Sequence, residues 1–118
     1  VGHGSRKHPA DALYAAMNCV FEQLDSNVFV ATIGGYPSLE DLLPAIMERK
    51  TRKIYLIPFM TVAGDHARND MTGDKPDSWR SIIMGKGIDC EAVLSGMAEY
   101  EEVVAVWLKH LQEAFAEL

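Results

Sequence analysis

Residues 54–79 read IYLIPFMTVAGDHARNDMTGDKPDSW. Ile54 to Phe59 is an apolar run without polar alternation, the pattern of a strand covered on both faces. From Val62 to Trp79 the character changes. Asp65, His66, Asn69, Asp70, Asp74 and Asp77 crowd into one connection punctuated by glycine. Joining a strand to its next element takes only about two to six residues. A long polar connection at the carboxyl end of a buried strand is where α/β proteins keep binding and catalytic groups.

The chain on either side extends that reading. Val1-Gly2 reads as the tail of a first strand, and GHGSRKHP, residues 2–9, as the loop after it. From Pro9 onward, Leu13, Met17, Val20, Phe21 and Leu24 recur at helical spacing, with the proline in the first turn where its missing N–H costs nothing. Asp25-Ser26-Asn27 ends that helix. Val28 to Ile33 is a second buried strand, stopped by Gly34-Gly35-Tyr36-Pro37. Ser38 with Asp41 forms a box-like N-cap for a helix whose stripe is Leu39, Leu42, Leu43, Ile46 and Met47. Arg49-Lys50 suits its C-terminal end.

Lys53 to Phe59 is then the third strand, Ser78 to Met84 a short helix closed by Gly85 and Gly87, and Cys90 to Leu94 the fourth strand. Glu99 to Leu118 carries Tyr100, Val103, Val104, Trp107, Leu108, Leu111, Phe115 and Leu118 on one helical face. The order βαβαβαβα predicts an α/β domain: a four-stranded parallel sheet flanked by helices, in the flavodoxin-like order 2-1-3-4. That order sets the loops after the first and third strands side by side. It therefore predicts that His3 and His66 lie close together.

Bulk composition narrows the function. The 118 residues, 48% apolar and 24% charged, suit one domain with a true core. A net charge of −6 with no Lys/Arg cluster argues against nucleic acid, which needs a basic face. No stretch reaches the roughly 20 apolar residues of a membrane span. The two cysteines, Cys19 and Cys90, lack CxxC spacing and read as buried free thiols in a reducing compartment such as the cytoplasm. The first strand retains only Val1-Gly2, so most of it is expected to lie before Val1. On that reading the chain by itself would be poorly soluble or form homo-oligomers.

His3 and His66 are the candidate chemistry. A histidine in a loop is commonly a surface residue, but two at neighbouring strand ends suit a metal ion or a proton. Imidazole accepts Co, Fe, Ni and Zn alike. His8, at the start of a helix, and His110, on the last helix, read as solvated. GHGS leads into a helix as phosphate loops do, yet it lacks the GxGxxG or GxxxxGK[ST] spacing. Asp65, Asp70, Asp74 and Asp77 suit either a solvated loop or charge around a cation, Asp77 the former. Met60, Met71 and Met97 read as core filler or as the wall of a pocket for a flat apolar ligand.

The motifs VGHGS…HPA, GYPSLED and PFMTVAGDHARNDMTGD followed by DSW resemble the sirohydrochlorin cobaltochelatases of the anaerobic cobalamin pathway, relatives of the class II ferrochelatases. The resemblance runs along the whole chain and corresponds to the C-terminal half of that family's protein. It implies that residues 1–118 are the C-terminal α/β domain of a two-domain chelatase, with a tetrapyrrole between the halves. His3 and His66 then fall on the metal-binding, catalytic histidines, His3 being the better candidate base.

The implied reaction is insertion of Co²⁺, with Fe²⁺ or Ni²⁺ as alternatives, into sirohydrochlorin or a related tetrapyrrole. No cofactor beyond the substrate metal is expected. One position departs from the pattern. The family usually has VEGYP where this chain has Ile33-Gly34-Gly35-Tyr36-Pro37, so Gly34 stands in place of the glutamate that would be a third metal ligand. A carrier of tetrapyrrole, haem or metal is the alternative that Gly34 favours. A flavodoxin-like nucleotide-binding module is a further rival, opposed by the missing phosphate-loop spacing.

Overall fold

The computed structural model describes residues 1–5 and 9–118. The elements are α1 (Asp11–Leu24), α2 (Leu39–Glu48), β1 (Lys53–Leu56), a π-helical turn (His66–Met71), α3 (Trp79–Gly85), β2 (Asp89–Ala92), a 3-10 turn (Met97–Glu99) and α4 (Glu101–Ala116). His8 and the middle of the GHGSRKHP loop lie outside the described residues.

Local signals set the helices. Ser38 caps α2 as its spacing predicted: its hydroxyl accepts the Asp41 N–H, and the Asp41 carboxylate accepts the Ser38 N–H at 2.7 Å. That bond to the Ser38 backbone, then the one to its hydroxyl, lowers the Asp41 pKa. Ser78 caps α3 by accepting the Ser81 N–H at 3.2 Å.

β1 and β2 pair in parallel, Lys53 opposite Asp89 through Leu56 opposite Ala92. The Lys53 ammonium donates to Glu91 at 2.7 Å across the pair, and that bond, with Tyr55, raises its pKa. The architecture is α/β, but among the described residues the sheet holds two strands where the sequence suggested four. Val1-Gly2 and Val28–Ile33 form no strand. Gly2 makes a lone parallel bridge to Thr32, donating to Ala31 O at 2.8 Å and accepting from Ile33 N–H at 3.0 Å. On its other side Val1 donates to Ile57 O at 2.7 Å and accepts from Phe59 N–H at 2.6 Å.

A ladder needs successive paired residues, and only Val1 and Gly2 stand between the two segments. Single bonds result. The other edge of residues 28–33 is blunted instead: Val30 N–H donates to Asn18 Oδ1 at 2.6 Å, and Thr32 N–H to Pro37 O at 2.6 Å. Beyond Val1, residues 28–31 and β1 face each other across an apolar cavity of about 560 Å³.

The core is a contiguous cluster that includes Ala31, Leu39, Ile46, Leu56, Ala67, Met71, Trp79, Ile83 and Cys90. Of the three methionines read as core filler or pocket wall, Met71 is fully buried in the core, whereas Met60 and Met97 are half-buried. Cys90 is buried, which pushes its thiol pKa up, but Cys19 is exposed on α1, contrary to the sequence reading. The reason is that α1 turns Asn18 inward to hold Val30, and its neighbour Cys19 faces out. α4 forms where its periodicity placed it, yet none of its residues is buried. Trp107, Leu108, Leu111 and Phe115 are all exposed, because nothing among the described residues covers that face.

Candidate metal centre

The connection that the sequence marked as a loop is partly helical. His66–Met71 forms a π-helical turn, a form found mostly as single turns and frequently at functional sites. Ala67 and Met71, four residues apart and each 0% exposed, anchor it in the core against α3. His66 and Asp70 share the same spacing one position earlier, and so lie along the outer rim. The turn closes where Gly73 N–H donates to Asn69 O at 3.0 Å; a Cβ at residue 73 would stand 2.4 Å from that carbonyl, so only glycine fits.

His3 is placed by the neighbouring loop. Gly2 fixes the chain before it, and Gly4, at φ 72°, turns the chain after it in a conformation that favours glycine. Asp11, in the first turn of α1, ties that loop to the next. Its Oδ1 accepts the Ser5 N–H at 3.0 Å and its Oδ2 the Tyr36 N–H at 3.2 Å. Gly34 N–H donates to His3 O at 2.8 Å, so the GGYP turn runs directly beside the histidine.

The two predicted histidines meet. Their ring centroids are 4.3 Å apart and the planes are nearly perpendicular, at 86°. His3 Nδ1 lies 3.0 Å from Gly4 O, and His66 Nδ1 2.6 Å from Asp70 Oδ2. Both contacts engage Nδ1 and leave Nε2 for a proton or a cation. The rim is open: the His66 and Asp70 side chains are 50% and 44% exposed.

Asp65, Asp74 and Asp77 are exposed, as the solvated reading held for Asp77, while Asp70 is drawn to His66. His110 is exposed on α4. Among the described residues, no group of three or more His, Cys, Asp and Glu side chains is placed to hold a metal ion. The site offers two imidazoles with a carboxylate behind one of them.

Sequence reasoning passed over Asp11 entirely and left Asp70 undecided. An acid in the first turn of a helix is too common a feature to reveal a clamp between two loops. The i,i+4 spacing of His66 and Asp70 was the one available hint, and it applies only once that segment is seen to be helical.

The sequence profile of the cobalt chelatase (CbiK) family matches residues 1–116. The chain belongs to that family. It is 39% identical over 118 residues, all of its own length, to the sirohydrochlorin cobaltochelatase CbiKC of Nitratidesulfovibrio vulgaris. It is 33% identical over 117 residues, 97% of its length, to a sirohydrochlorin cobaltochelatase of Salmonella typhimurium. These alignments cover 42% and 43% of the two relatives, so the chain spans less than half of either. As a cobalt chelatase family member it has, among the described residues, no helix long and apolar enough to cross a membrane.

Proposed function

We propose that this chain is the metal-handling α/β half of a chelatase that inserts a divalent ion, Co²⁺ foremost, into sirohydrochlorin or a related tetrapyrrole. The observation that carries the reading is the 4.3 Å contact between His3 and His66, which come from distant parts of the chain. Insertion requires the ion to shed water and two pyrrole N–H groups to lose their protons. Neutral imidazole nitrogens serve both needs, one as a ligand and one as a general base. His66, backed by a carboxylate, suits the ligand, and His3 the base. The acidic connection lowers the cost of bringing a cation to the rim. No nucleotide or redox cofactor enters this chemistry, and the net charge of −6 with scattered basic residues disfavours a nucleic-acid partner.

The same reading completes the sheet in the order 2-1-3-4 and makes residues 1–118 the C-terminal domain of a two-domain protein, with the tetrapyrrole between the halves. In its support, Val1-Gly2 bonds to both neighbouring segments, and the apolar cavity beyond Val1 lies between two backbone edges, as an inserted strand would require. Two free thiols fit a reducing cytoplasm. A second reading, a carrier that binds tetrapyrrole, haem or metal without turnover, draws on Gly34 and on the two-imidazole site.

Mixing the full-length protein with sirohydrochlorin and Co²⁺ separates the two by absorbance. Turnover is expected; a stoichiometric shift without turnover would favour the carrier. His66→Ala and His3→Ala should each abolish insertion, whereas His110→Ala, exposed on α4, should leave it unchanged. Insertion at the parent rate in either of the first two variants would refute the assignment.

A further inference from the structure

The 2.6 Å separation of His66 Nδ1 and Asp70 Oδ2 is that of a charge-assisted bond. An ionised carboxylate only accepts, so the proton of the neutral ring sits on Nδ1 and the lone pair on Nε2. Among the described residues, Asp70 is the one acid of the Asp65–Asp77 connection whose carboxylate meets a histidine ring. Its placement follows from the backbone beneath it. Ala67 and Met71, both fully buried, fix the turn, and His66 and Asp70 repeat the same four-residue step on the rim. His3 differs, for among the described residues its Nδ1 faces the carbonyl of its own neighbour, Gly4, and not a carboxylate. A histidine that donates its second N–H to a carboxylate is held in orientation and becomes the more basic ligand.

We propose that Asp70 is the positioning residue of this centre: its carboxylate holds His66 as the Nδ1–H tautomer and keeps Nε2 turned out for a divalent cation. The proposal rests on the reading of His66 as a ligand. It divides the labour within the pair, with His66 the oriented anchor and His3 the freer ring.

The test is calorimetric titration of the full-length protein with Co²⁺ alone, beside ¹⁵N NMR of the His66 ring. Asp70→Ala should weaken Co²⁺ binding by about 10–100-fold and shift neutral His66 toward the Nε2–H tautomer. Asp70→Asn, whose amide oxygen can still accept from Nδ1–H, should keep the tautomer and lose only part of the affinity. Asp74→Ala removes an equal charge from the same connection and should alter neither. Parent-like affinity and tautomer in Asp70→Ala would overturn the proposal, as would equal losses in Asp70→Ala and Asp74→Ala. Should Asp70→Ala fail to fold, Asp70→Asn decides: undiminished Co²⁺ affinity there overturns it. His66→Ala separates the two levels. If it binds Co²⁺ as the parent does, the ligand reading itself falls; if it alone loses binding, only the role of Asp70 is refuted.

Discussion

Replacing Gly34 by glutamate is the sharpest test of where this centre lies. Gly34 N–H bonds to His3 O at 2.8 Å, so a side chain at residue 34 starts beside the histidine pair. The added Cβ would stand 3.3 Å from His3 O and 3.9 Å from Gly4 O, a tight fit that a shift of a few tenths of an ångström relieves. Gly34 is not in the left-handed region, unlike Gly4 and Gly87, so no backbone strain opposes the change. Losing a glycine also restricts the unfolded chain, a gain of about 0.4–1 kcal/mol that offsets the crowding.

A carboxylate about 4 Å from a divalent ion in a water-like medium gains roughly 2 kcal/mol, twice the unit-charge value. That is about 30-fold in affinity, and desolvation brings the expectation to about 10–30-fold. Calorimetric titration with Co²⁺ should show the gain, beside a thermal melt close to the parent's. Most of it should vanish in Gly34→Glu with His66→Ala, because ligands of one ion are coupled. A variant that melts like the parent yet binds Co²⁺ no better would show that residue 34 does not face the ion.

Other expectations follow from the fold. Ser38→Ala removes the hydroxyl that caps α2 and should cost about 1 kcal/mol in urea unfolding; an unchanged midpoint would deny the cap its role. Trp107, Leu108, Leu111 and Phe115 are exposed together on α4. Covering such side chains is worth about 1.5–3 kcal/mol each, so the chain by itself should self-associate in sedimentation, and Leu111→Glu with Phe115→Glu should reduce it. A strictly monomeric parent chain would count against this.

The helices were legible in the sequence because their signals are local. Ser38 and Asp41 announce α2 within one turn, and the apolar period of residues 99–118 announces α4. The strands at Lys53–Leu56 and Asp89–Ala92 lie within the predicted runs, give or take a residue, for the same reason. The meeting of His3 with His66 was a topological deduction: alternating elements force parallel strands, and parallel strands gather their following loops at one edge. What tertiary structure alone decided is which individual polar groups of neighbouring segments bond to one another. The Asp11 clamp on the Ser5 and Tyr36 N–H groups has no local signature, nor has the capping of Val30 by Asn18. The Gly-Asp-rich run from Val62 reads as loop by composition. Burial of Ala67 and Met71 overrides that and winds it into a turn, and only then does Asp70 stand against His66. The exposed face of α4 makes the converse point: periodicity establishes that a helix has an apolar side, while whether anything covers it depends on what the rest of the fold brings there.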